Sequence, residues 1–208
     1  MSVDPEEDRL VHRLLFFTDA VFAIVLTILV LELHPPELRG EATTGRFVET
    51  LPHLLAYALS FSIVAVYWIA HLNSTRRLER FDWPVTLANL IFLGFLSLLP
   101  YATAWLGADL SGRTAWTVYS ATLVVISAAN MALLGVLLRG GGRLVGGLRP
   151  GERLLRLVRA GSPGLAFLLC LALAQAGWMT MVMLCPLLIP VLVLGTSRLI
   201  RRTVQKAA

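Results

Sequence analysis

Charge is the scarcest commodity in this chain of 208 residues: only 15% are charged, against 57% apolar. That balance lies outside the range of water-soluble globular domains and leaves no room for a large soluble domain. Cysteine is nearly absent. Cys170 and Cys185 sit inside apolar runs with no ligand partner nearby, which suits small packing residues rather than a metal or redox centre. The four histidines, His12, His34, His53 and His71, lack metal-ligand spacing, so no zinc or catalytic metal site is expected. Ser60, Ser62, Ser97 and Ser127 lack a nucleophile-elbow context, no catalytic constellation is present, and the chain is not read as an enzyme. There is no nucleotide-binding loop, no arginine repeat of a voltage sensor, no T-V-G-Y-G filter sequence, and no implied cofactor. The acidic start Asp4 to Asp8 is unlike a cationic signal-peptide n-region, so no cleavable signal is expected.

What is present is a series of long apolar runs. About 20 apolar residues cross a bilayer, and the expected spans are about 13–33, 48–71, 84–106, 115–138, 162–177 and 179–198. The predicted fold class is an all-α polytopic membrane protein of six transmembrane helices, forming one domain over 1–208. Residues 1–12 are a polar lead-in, either a short helix or a frayed end. His34-Pro35-Pro36 stops the first span, since proline cannot continue a helix. A polar loop covers 37–46, and a tight basic loop holds Arg76, Arg77, Glu79 and Arg80. Pro100 predicts a kink or a broken last turn in the third span. The connection from Arg139 to Ser162 carries Arg149, Arg153, Arg156 and Arg159 interleaved with Leu154, Leu155, Leu157 and Val158, a pattern for an interfacial helix that could bind anionic lipid. Gln175 to Trp178 offers a turn dividing the almost uninterrupted apolar stretch from 163 to 198.

The formal charge of +5 could suggest nucleic acid. The basic residues instead flank the apolar runs, and none has the motif context that nucleic-acid binding needs. With six spans, all but Arg39, Arg46 and Arg113 of the 18 basic residues fall on one side. The positive-inside rule then expects a multi-pass protein of the cell membrane with both termini cytoplasmic.

The first span opens with Arg13, Phe17, Thr18 and Asp19. An ionisable group inside a membrane helix is a functional hypothesis by default. At 100° per residue, Phe17, Val21, Ile24, Ile28 and Leu31 fall within an arc of about 80°. This stripe faces either lipid and packing neighbours or an axis. Asp19 lies about 160° from it, which suits a structural anchor needing a partner on a neighbouring helix. Trp68 and His71, three apart on one face, are either an interfacial belt or part of a polar network with Arg13 and Asp19. Asn89 fits that network or an ordinary interhelical bond. Glu32 and His34 are either solvated loop ends or a means of raising cation concentration at a mouth.

Arg13-x-x-x-Phe17-Thr18-Asp19 and the apolar run to Glu32 resemble the R-x-x-x-F-S-D signature and first helix of the transmembrane protein 175 family. These are endosomal/lysosomal potassium channels and their prokaryotic relatives. The resemblance continues through Trp68-x-x-His71, Asn89 and Leu99-Pro100-Tyr101-Ala102-Thr103. Thr18 replaces the family's usual serine and keeps the hydroxyl; Asn73 stands where relatives often have histidine or an aromatic. The resemblance implies a potassium-favouring cation channel whose first helix lines a central pore. Prokaryotic members have one six-span repeat per chain, and this chain carries one copy of the motif, which implies a homotetramer. Counted from the motif aspartate, the family's constriction positions are Ile24, Ile28 and Leu31, the stripe already picked out by geometry. Thr27 beside it adds a hydroxyl. Arg13, Phe17, Thr18, Asp19, Trp68, His71 and Asn89 are implied as a structural polar network. Potassium, other monovalent cations including protons, and membrane lipids are the implied partners. The rival reading is a proton-coupled secondary transporter using Asp19 and His71; against it, the sequence has no second, inverted copy of the key span.

Overall fold

The computed structural model describes residues 5–33, 44–75, 78, 80–139, 143–145 and 150–187. The described residues are helical, with short turns between helices and no strand among them. Five segments are long and apolar enough to cross a membrane: Pro5–Leu31, Thr50–Thr75, Trp83–Ala108, Arg113–Leu137 and Gly151–Gln175. The predicted sixth span, 179–198, is described only in its first part. There a short helix, Met179–Leu184, passes into a 3-10 turn, Cys185–Leu187. The His34-Pro35-Pro36 stop, the 37–43 part of the polar loop, Arg76, Arg77, Glu79 and the tail from 188 lie outside the described residues.

Helix α1, Pro5–Leu31, begins well before the predicted span. Pro5 suits the first helical position, and Glu6, Glu7 and Asp8 in the first turn complement the helix dipole. At 1.5 Å per residue its 27 residues reach about 40 Å, more than the ~30 Å hydrocarbon core. Residues 5–12 of the polar lead-in therefore continue the membrane helix. Helix α2 is Thr44–Thr75. Helix α3, Trp83–Leu96, starts where the Asp82 side chain accepts from the Val85 amide at 3.0 Å, with a proline in the first turn.

The expected break at Pro100 is present. Helix α4, Leu99–Ala108, follows α3 after Ser97 and Leu98, with the proline in its first turn. Proline has no N–H to bond four residues back, so the helix ends and restarts there. Helix α5, Arg113–Leu137, is the hub of the bundle. It packs against α3, α4 and the helix that follows, and it buries Trp116, Tyr119, Leu123, Ile126 and Leu133.

The predicted boundary near residue 162 is corrected. Helix α6 runs unbroken from Pro150 to Gln175, so the expected interfacial segment and the fifth span are one helix. Pro163 lies inside it. The carbonyl that a Pro163 N–H would have met, that of Arg159, accepts the Ser162 hydroxyl at 3.3 Å. Serine hydroxyls relieve proline breaks in membrane helices in this way. The predicted turn at Gln175–Trp178 is there. Gly177 takes φ +81, the Trp178 amide bonds Leu173 O at 3.0 Å, and the Gly177 amide bonds Ala174 O at 3.2 Å. That pairing is a Schellman cap, which calls for a residue without Cβ at this position. Helix α7, Met179–Leu184, follows.

Candidate functional site: the clamp on the first helix

Helix α1 has two contrasting faces. Val11, Thr18, Phe22, Val25 and Leu29 are buried against α2, α3 and α4, at the i, i+3, i+4 spacing of one helical face. On the other side Ile24 is 55% exposed, Ile28 39% and Leu31 70%. Phe17 is half-exposed on the same side, while Val21 packs at the edge of the core. Thr27 is exposed beside the stripe, its hydroxyl donating to Ile24 O at 2.8 Å.

The buried face is held by a chain of polar side chains. The Thr18 hydroxyl donates to Leu14 O at 2.8 Å, one turn back in its own helix. Its oxygen accepts from Asn89 Nδ2 at 2.7 Å, which ties α1 to α3. Asn89 Oδ1 faces His71 Nε2 at 2.9 Å, which ties α3 to α2. These directions are mutually constraining. Since the Thr18 proton goes to Leu14, the asparagine must donate to Thr18 and present its oxygen to the histidine. His71 therefore carries a proton on Nε2. Thr18, His71 and Asn89 are all buried, so each bond is made without competing water. The His71 ring stacks on Phe92 at 6.1 Å and 7°, and Phe22 leans on both rings at 5.9 and 6.0 Å. The aromatic box fixes the imidazole plane and shuts off alternative partners.

Asp19 forms a separate pair. It is exposed rather than buried, and its Oδ1 accepts from Trp68 Nε1 at 3.0 Å. The pair joins α1 to α2 on the flank of the clamp. Of the residues grouped from the sequence, Thr18, Asn89 and His71 form one bonded set and Asp19 with Trp68 another. Arg13 is exposed and, like Phe17, joins neither set among the described residues. Among them, too, no three His, Cys, Asp or Glu side chains gather closely enough to hold a metal.

A second polar layer escaped sequence reasoning. Ser60 Oγ pairs with Tyr119 Oη at 2.9 Å and accepts from Thr103 Oγ1 at 2.8 Å, joining α2, α4 and α5. Tyr67 Oη pairs with Ser127 Oγ between α2 and α5. The only signal was the presence of isolated hydroxyls in apolar runs, which in a membrane bundle pair across helices.

A helical bundle with five membrane-length segments, its first helix held by buried interhelical hydrogen bonds, has the architecture of a polytopic membrane protein. Residues 13–100 match the family model of the endosomal/lysosomal potassium channel TMEM175. A potassium channel of Chryseobacterium sp. is 35% identical over 127 residues, 61% of this chain and 65% of that protein. A potassium channel of Streptomyces collinus is 30% identical over 130 residues, 60% of this chain and 63% of that protein. The aligned part thus spans less than two thirds of these curated relatives. The endosomal/lysosomal proton channel TMEM175 of Gallus gallus is 32% identical over 95 residues, 43% of this chain and 18% of that protein. Among solved structures, the lysosomal potassium-selective channel TMEM175 homologue of Chamaesiphon minutus superposes with a TM-score of 0.71. It is 24% identical, and the match covers 88% of this chain and 96% of that one. Residues 13–100 thus resemble the TMEM175 family, and the chain shares the fold of the Chamaesiphon minutus homologue.

Proposed function

We propose that this chain is a potassium-favouring cation channel and that Ile24, Ile28 and Leu31 form its constriction, with Thr27 adding a hydroxyl beside it. The supporting observation is the pairing of faces on α1. One face is clamped by buried hydrogen bonds, and the other turns large aliphatic side chains away from the chain's own core. Rigid support of one face fixes how the rest of the helix is presented, as a functional surface requires. Two bacterial relatives of this chain are named potassium channels.

Four copies of the stripe around an axis make a narrow ring of branched aliphatic side chains. A cation crossing it sheds part of its water without receiving carbonyl replacements. Potassium holds its water less tightly than sodium and pays the smaller penalty. Such a ring also gates by dewetting, and its selectivity depends on side-chain size. The assembly in this reading is a homotetramer of single six-span domains over 1–208 in the cell membrane, with both termini cytoplasmic and lipids around it. Other monovalent cations and protons follow the same path; protons enter because several relatives are named proton channels. The transporter reading gains no support from the geometry, because His71 is engaged by Asn89 and Asp19 by Trp68, with no bond joining the two sets. The test is Ile24→Asn in proteoliposomes. Changed potassium-over-sodium selectivity or conductance is expected, and unchanged permeation with a folded protein would sink the assignment.

A further inference from the structure

Between α5 and α6 lies a partly open apolar cavity of about 550 Å³. Val124, Ala128 and Met131 line it from α5, and Leu157, Gly161 and Leu168 from α6. From Leu157 to Leu168 the helical rise is roughly 17 Å, about half of the ~30 Å hydrocarbon core. The groove therefore has the depth of one leaflet. It widens at Gly161, where an added Cβ would meet only Met131 Sδ at 3.6 Å and Cε at 3.9 Å. It is closed behind by Gly164, whose position leaves no room for a Cβ against that of Ser127 at 2.7 Å.

One turn before Leu157 on the same helical face stands Arg153. Its Nε is buried and has no hydrogen-bond partner among the described residues. A buried guanidinium N–H is costly unless it meets an acceptor, and an anion suits it best. Arg153 stands one turn beyond Leu157, at the N-terminal end of the groove. Arg156 and Arg159 add positive charge at the same end, although both are already engaged, Arg156 with Ser74 O at 3.1 Å. Glu152 is exposed about 100° around the helix from Arg153. An apolar slot one leaflet deep, ending at an arginine, matches the chemistry of a single amphiphile.

The geometry points to a bound anionic phospholipid, with one acyl chain in the α5–α6 groove and its phosphate on Arg153. This rests on the bilayer-embedded reading of the chain and not on potassium permeation. The assay reads lipid retention without ion flux, so failure of one reading is distinguishable from failure of the other.

The experiment reconstitutes the full chain in phosphatidylcholine nanodiscs containing a minority of phosphatidylglycerol, extracts it gently, and counts retained lipids by native mass spectrometry. Phosphatidylglycerol should be enriched about fivefold over its share of the bilayer, the worth of one arginine contact near the surface. Arg153→Gln should remove most of that enrichment, and Arg153→Lys should keep it. Gly161→Leu, which fills the groove, should lower retention of both lipids. Arg80→Gln, an exposed basic residue elsewhere, should change nothing. Equal retention of the two lipids by the unaltered protein would overturn the proposal, as would enrichment indifferent to Arg153→Gln. Displacement of the lipid by inorganic phosphate would make this a free-anion site and overturn it too. A changed oligomeric state in Gly161→Leu with unchanged lipid would put a second copy in the groove instead. If Arg153→Gln does not fold, the Arg153→Lys and Gly161→Leu arms decide.

Discussion

Replacing Asn89 by leucine isolates the energetics of the clamp, because leucine has nearly the same size and removes only the polar ends. Two bonds are lost, Asn89 Nδ2 to Thr18 at 2.7 Å and His71 Nε2 to Asn89 at 2.9 Å. Interhelical bonds in membrane proteins average about 0.6 kcal/mol each, so the pair is worth roughly 1 kcal/mol. The larger effect falls on His71. Its Nε2–H stays buried between Phe22 and Phe92 with no replacement acceptor, a penalty of about 1–3 kcal/mol. Thr18 suffers less, since its proton keeps Leu14 O. The total is roughly 2–4 kcal/mol. Thr18→Val should cost a similar amount, roughly 2–4 kcal/mol, because the His71 pair survives but the buried Asn89 Nδ2–H loses its acceptor. Adding Thr18→Val to Asn89→Leu should cost almost nothing further, the non-additivity expected of side chains sharing one network. Titration of the micellar protein with a denaturing detergent, followed by loss of helix, measures all three. Strict additivity of the two substitutions would refute the bonding pattern.

Asp19→Asn should weaken assembly or stability more than it changes ion preference, and by less than Asn89→Leu does, because the Trp68 pair is exposed in the single chain. Size-exclusion profiles beside flux ratios check this, and a stable assembly with altered selectivity would reverse the assignment. Gly164→Ala should destabilise the α5–α6 contact by about 1–3 kcal/mol, as overpacking does, since the new Cβ lies 2.7 Å from that of Ser127; an unchanged thermal midpoint would contradict it. Ser162→Ala should loosen α6 at Pro163 by roughly 1 kcal/mol through loss of the hydroxyl that meets Arg159 O. Faster amide exchange at that turn is the expected readout.

The membrane spans were legible because hydrocarbon thickness sets their length and proline and glycine set their ends. The break before Pro100 and the Gly177 turn follow from backbone chemistry alone. The join at residues 160–164 was not legible. Gly161, Ser162, Pro163 and Gly164 read as loop residues in isolation, yet Gly164 serves close packing on α5 and Ser162 repairs the proline gap. The clamp was half legible. The types Thr18, Asn89 and His71 announce polar pairing, but which of them bond, and that Asp19 stands apart with Trp68, depends on how α2 and α3 lean on α1. The α1 stripe was legible as geometry, whereas the buried Ser60–Tyr119–Thr103 cluster needs the tertiary fold.

Flux through the purified chain in liposomes is the most direct measurement of what this protein does. Imposed potassium, sodium and proton gradients are applied in turn, with an ion-sensitive dye inside. Passive flux following the potassium gradient, slower for sodium and requiring no imposed pH gradient, is the predicted result. Saturable uptake that requires a proton gradient, or no flux from an intact assembly, would contradict the channel reading.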